Sequence, residues 1–185
     1  MPDTVLYTAE AISTGDGRNG HVASSDHKID LDLAFPPEMG GTGAGSNPEQ
    51  LFAAGYAACF HSALRLIAGR EQGALGDSTV TAQVGIGPDG DAFGLIVTLI
   101  IHVPGMEREK VREFAEAAHQ VCPYSRATRG NISVELRVLL STGGGGDPAP
   151  QPGNTQVLAE RQRVIQEPAH DRDQPGRDQG RACPP

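Results

Sequence analysis

Cys59 and Cys122 are the residues of this chain whose type and placement best suit them to chemistry. A cysteine thiolate is a strong nucleophile. Once oxidised to a sulfenic acid, it can condense with a second thiol to form a disulfide. Cys59 sits in the segment AAGYAACF, so rich in Gly and Ala that other elements can approach it closely. Cys122 ends a second apolar-periodic segment, immediately before Pro123, where a helix terminus moves more easily than a helix centre. A free thiol has a pKa of about 8.5, and apolar burial raises it. The helix dipole acts only over the terminal turns, so a mid-helix Cys59 needs an outside cation to become a thiolate.

Two other readings of the same residues stay open. Both cysteines can be small buried hydrophobes that only pack. Cys59-x-His61 and His119-x-x-Cys122 also offer two sulfurs and two imidazoles, a common zinc ligand set. Helix geometry weakens the zinc reading, because residues two apart project about 200° apart around the axis.

Composition narrows the function classes. The 185 residues carry a net charge of −8, 4% aromatic residues and no Trp. That charge argues against a nucleic-acid binder, which needs a Lys/Arg surface. No wholly apolar run of membrane-spanning length is present, and MPDTVLYTAEA lacks a basic segment followed by an apolar one. The expectation is a cytoplasmic protein with no membrane partner, where three cysteines do not make a structural disulfide framework.

The elements that must position the cysteines lie before residue 142. Beyond it come GGGGDPAPQPGN and a polar stretch without aromatics. The expected organisation is a working domain over 1–142 and a disordered tail over 143–185, which includes Cys183. Within that tail, residues 157–166 could form one short helix. In the domain, alternation predicts strands over 5–12, 20–25 and 29–33, with the loop TGDGRN between the first two. Asn47, Pro48 and Gln50 are a helix start, opening a helix to about residue 73 that is apolar nearly all round. Two strands follow over 80–86 and 93–103, joined at Pro88-Asp89-Gly90-Asp91. An amphipathic helix over 107–121 stops at Pro123, and a last strand covers 132–140. The order is βββ-α-ββ-α-β, an α+β domain.

NPEQLFAAGYAACF around Cys59, VCPYS around Cys122 and Gly17-Arg18-Asn19-Gly20 together resemble the organic hydroperoxide resistance proteins, of the OsmC-like superfamily. The resemblance covers about residues 5–140. It implies an intertwined homodimer with central buried helices packed on antiparallel sheets. It implies reduction of alkyl, aryl and lipid-derived hydroperoxides to alcohols, with no metal or bound cofactor. The reductant it implies is a lipoylated protein or dihydrolipoamide. At the matching positions, Cys59 is the attacking cysteine, Cys122 the resolving one, Arg18 the cation that holds the thiolate, and Glu49 the partner of Arg18. The osmotically inducible branch, with another peroxide preference, and a non-catalytic dimer of the same fold are the alternatives.

Cys59 lies ten residues on from Glu49, about 15 Å of helix rise, and points about 280° away around the axis. A compact Cys–Arg–Glu group is hard to build around one such helix. The expectation is therefore that Arg18 and Glu49 serve the cysteine of a second copy. Phe35, Met39, Phe52 and Phe93 are candidates for an apolar substrate pocket.

Overall fold

The structure is a computed structural model that describes residues 3–71 and 73–139. The chain divides into Met1–Ser141 and Thr142–Pro185. The expected tail over 143–185, with Cys183 and the 157–166 helix, lies outside the described residues. The first unit is α+β. Strands β1 (Ala11–Thr14), β2 (His21–Ser24) and β3 (Asp30–Asp32) form an antiparallel sheet. Helix α1 (Pro48–Arg70) follows, then β4 (Thr79–Asp89) and β5 (Ala92–His102). Helices α2 (Arg108–Val121) and α3 (Pro123–Thr128) lead to β6 (Ser133–Val138).

Helix α1 starts where its chemistry dictates. The Asn47 side chain accepts from the Gln50 N–H at 2.9 Å, and the Gln50 side chain accepts from the Asn47 N–H at 3.2 Å. This reciprocal cap, with Pro48 at the first helical position, satisfies amides that the helix leaves unpaired. Tyr56, Phe60, Ala63, Leu64, Ile67 and Ala68 then form one buried face. They pack on Val97, Leu99 and Ile101 of β5 and on Val111, Phe114, Ala115 and Ala118 of α2.

Strands β4 and β5 form a hairpin paired from Thr79↔His102 to Asp89↔Ala92, leaving Gly90 and Asp91 as the turn. Gly90 takes a φ of 58°, which suits a residue without Cβ. Pro88 is tolerated because β4 is an edge strand. Strand β6 runs parallel to β5, so this sheet is mixed rather than antiparallel. The reason is the α2–α3 crossover, which brings the chain back in the direction of β5.

Three further differences from expectation share a cause. The strand expected over 5–12 begins only at Ala11, and Leu6 and Tyr7 are 95% and 81% exposed. Strand β1 is exposed throughout, and Ala23 is the one fully buried residue in the first sheet's strands. Helix α1 is buried on one face only, with Ala54, Ala58, Ser62 and Leu66 exposed along the other. The described residues supply a packing layer for one side of α1 and none of comparable extent for the first sheet.

By length and composition α1 could cross a membrane, with a mean hydropathy of 1.4 over its most apolar window. Its apolarity is that of a core helix, since its inner face is seated on β4, β5 and α2. Truncating that face, as in Leu64→Ala, is expected to lower unfolding free energy by about 2–5 kcal/mol. Chemical denaturation measures the loss.

Candidate active site

Helix α1 and the α2–α3 junction bring the two cysteines together. The Cys122 thiol points at Cys59, with the sulfurs 3.6 Å apart and both free. Cys122 is completely buried and Cys59 partly so. Cys122 closes α2 and opens α3 in an extended conformation, φ −60° and ψ 123°, as expected of a residue before proline. The expectation of a loose helix end is corrected here. Pro123 does not merely stop α2 but takes the first position of α3, so a helix holds Cys122 on each side.

Sequence reasoning missed the residues that fix this junction. Tyr56 Oη donates to Ser125 Oγ at 2.9 Å and lies 3.2 Å from Thr128 Oγ1. Thr128 Oγ1 in turn lies 3.0 Å from the Tyr124 carbonyl oxygen. Tyr56, Ser125 and Thr128 are all buried. The Tyr124 ring stacks on Phe52 with centroids 5.9 Å apart, and meets Tyr56 edge-on at 5.6 Å. Gly55 makes room for it, since a Cβ there would fall 2.8 Å from the Tyr124 hydroxyl. The available signal was spacing. Tyr56 precedes Cys59 by three residues, and Ser125 follows Cys122 by three.

Burial pushes the Cys59 thiol pKa up, and the backbone of Tyr124 opposes the rise. The neighbouring Cys122 raises it further. Arg18 is not among the groups acting on Cys59.

Arg18 sits instead in a 3-10 turn, Gly17–Asn19, and meets Glu49 in the first turn of α1. The contact is bidentate, Nη1 to Oε2 at 2.9 Å and Nη2 to Oε1 at 2.8 Å. The guanidinium also lies 5.8 Å from the centre of the Phe35 ring. The hydrogen bonds from Arg18 hold the Glu49 carboxyl below the ordinary carboxylate range. The local backbone is tightly specified, because a Cβ on Gly20 would fall 2.0 Å from the Thr14 carbonyl oxygen. The described residues therefore form two separate pairs, Cys59 with Cys122 and Arg18 with Glu49.

The remaining candidates separate. Phe52 belongs to the aromatic group beside Cys59, Phe35 to Arg18, and Met39 and Phe93 are exposed. A cleft of about 530 Å³ borders Asn19 and Phe35 and is lined by neither cysteine. For the zinc reading, His61 Nε2 is 3.0 Å from Ser78 Oγ. Among the described residues no group of three or more His, Cys, Asp or Glu side chains is placed to hold a metal ion.

Residues 41–137 match the family model described as OsmC-like protein. The organic hydroperoxide resistance protein of Xanthomonas axonopodis pv. citri is 51% identical over 137 residues, covering 73% of this chain and 96% of that protein. Among solved structures, OhrB of Bacillus subtilis, an organic hydroperoxide resistance protein, superposes with a TM-score of 0.67 at 43% identity. The match covers 73% of this chain and 100% of the other. An organic hydroperoxide resistance protein from Legionella pneumophila gives a TM-score of 0.70 at 46% identity, over 74% of this chain and 100% of that one.

The Arg18–Glu49 pair makes a pH prediction. The folded Glu49 pKa lies below its unfolded value, so between the two the unfolded chain binds more protons and stability rises with pH. The contribution is fully present above the unfolded value of about 4.3 and is lost as pH falls through the folded pKa. Arg18→Ala should flatten this dependence. Denaturant midpoints collected between about pH 3 and 6 should fall more steeply with acid in the parent than in the variant.

Proposed function

Because the chain belongs to the OsmC-like proteins, and within them to the organic hydroperoxide resistance family, we propose that it is a thiol-dependent peroxidase that reduces organic hydroperoxides to alcohols. The observation that carries this reading is the 3.6 Å approach of two free sulfurs. The Cys59 thiolate attacks the outer oxygen of the hydroperoxide and breaks the O–O bond. It becomes a sulfenic acid, and the alkoxide leaves and takes a proton. Cys122 then attacks the Cys59 sulfur and releases water. The sulfurs need to close from 3.6 Å to a bond of about 2.05 Å. A dithiol of the dihydrolipoyl class returns two electrons and two protons to the disulfide. A reducing compartment such as the cytoplasm keeps the resting pair as thiols.

The thiolate needs a cation, and the chain's own Arg18 is engaged with Glu49. In the proposed homodimer, Arg18 of a second copy reaches Cys59, with Glu49 of that copy orienting it. The guanidinium then stabilises the thiolate and the charge that develops on oxygen. The same association covers two surfaces that one chain leaves open. One is the outer stripe of α1, where Leu66 is 52% exposed, and the other is the first sheet, where Ile12 is 64% exposed. The stacked rings of Phe52 and Tyr124 offer an alkyl or aryl substrate an apolar seat beside the sulfur.

Mass spectrometry after one equivalent of cumene hydroperoxide tests the proposal. The expected product is an intramolecular Cys59–Cys122 disulfide, and Cys122→Ser should stop at a sulfenic acid on Cys59. A bond to Cys183 would contradict the assignment of the resolving thiol. Thiols left unreacted would favour a non-catalytic protein of this fold.

A further inference from the structure

Helices α1 and α3 pair in antiparallel register at two points. Cys59 meets Cys122, and Tyr56, three residues before Cys59, meets Ser125, three residues after Cys122. One of these contacts must open and close as sulfur is oxidised and reduced. The other joins hydroxyls that are shielded from water and untouched by redox change. Tyr56 and Ser125 are 0% exposed, and Thr128 is 4% exposed.

We propose that the Tyr56–Ser125–Thr128 hydroxyl cluster is the positioning device for the resolving cysteine. It fixes α3 on α1 so that Cys122 faces Cys59. It thereby sets how often a Cys59 sulfenic acid closes to a disulfide before a second peroxide takes it to the sulfinic acid.

The physical argument runs through α3. This helix has only six residues, too few to be stable on its own. Its place depends on what ties it to α1. The Tyr56 hydroxyl joins Ser125 and Thr128, which lie on the one face of α3 turned inward. Thr128 bonds back to the carbonyl oxygens of Tyr124 at 3.0 Å and Ser125 at 3.2 Å, so the cluster also holds the helix's own turn. Removing one partner leaves buried hydroxyls unsatisfied and lets the segment search other positions. Each time the sulfurs close, that search has to be undone, which lowers the effective concentration of one thiol at the other.

The inference rests on the proposed peroxidase only for its consequence in sulfur oxidation, and the test has two separable arms. In the first, the full chain is equilibrated in glutathione buffers of stated thiol-to-disulfide ratio, and the effective molarity of the Cys59–Cys122 pair is measured. Tyr56→Phe and Ser125→Ala are each expected to lower it by about tenfold, the scale of one buried hydrogen bond. The double variant should be no worse than the worse single one, because the two side chains act as a unit. In the second arm, repeated turnover with cumene hydroperoxide and a dithiol should leave about tenfold more sulfinic acid on Cys59 in the variants, in step with the slower closure. Folded variants with a lowered melting temperature but unchanged effective molarity would overturn the proposal, since the hydroxyls would then only support the fold. If the parent forms the disulfide in glutathione but ignores the hydroperoxide, the peroxidase reading fails, and the first arm still decides the clamp.

Discussion

In the proposed chemistry, a sulfur in the middle of an apolar helix has to carry charge in a place that resists it. Burial is the largest influence on the Cys59 thiol and pushes its pKa up, and the dipole of α1 is too far from its ends to help. Among the described residues, the backbone of Tyr124 opposes that rise. Tyr124 stands there because Pro123 starts a new helix immediately after Cys122. The same junction delivers the Cys122 sulfur, which in the proposed chemistry traps the oxidised form of Cys59. In the proposed chemistry, the missing component is a permanent positive charge.

The chain carries such a charge and holds it elsewhere. Arg18 is bound to Glu49 through both of its terminal nitrogens and flanked by Phe35, an arrangement that orients the guanidinium before any substrate arrives. The surfaces left open by one chain fit the same conclusion. The first sheet has almost no buried side chain of its own, and the outer stripe of α1 is apolar yet exposed. In the proposed dimer a second copy covers both and brings an oriented arginine to Cys59.

What the residues made legible in advance was local. Asn47, Pro48 and Gln50 mark the start of α1 because capping needs only neighbours in sequence. The α2 pattern of Val111, Phe114, Ala115 and Ala118 was readable because one face of a helix recurs every three or four positions. Residues 5–10 alternate as a strand would, but alternation does not say whether the chain has anything there to pair with. Helix α3 was hidden because Pro123 ends one helix and can equally begin another, and only the packing of Ser125 and Thr128 on Tyr56 decides. The cysteine pair and the Arg18–Glu49 pair were identifiable through motifs. The hydroxyl cluster left a fainter mark, its three-residue offset from each cysteine, since Tyr56 and Ser125 meet across 69 residues of sequence and belong to no motif read there.

The central claim is that the charge serving Cys59 comes from another copy of the chain. Complementation within mixed dimers tests it directly. Cys59→Ser and Arg18→Ala chains, each inactive alone, are co-expressed and assayed together for hydroperoxide reduction. If Arg18 serves across the interface, each mixed dimer regains one complete site, with Cys59 from one chain and Arg18 from the other. Activity should then return to about a quarter of the parent's, since half the dimers are mixed and each has one working site of two. If Arg18 serves the cysteine of its own chain, no mixed dimer contains a complete site. The mixture then stays as inactive as its components, which would contradict the account.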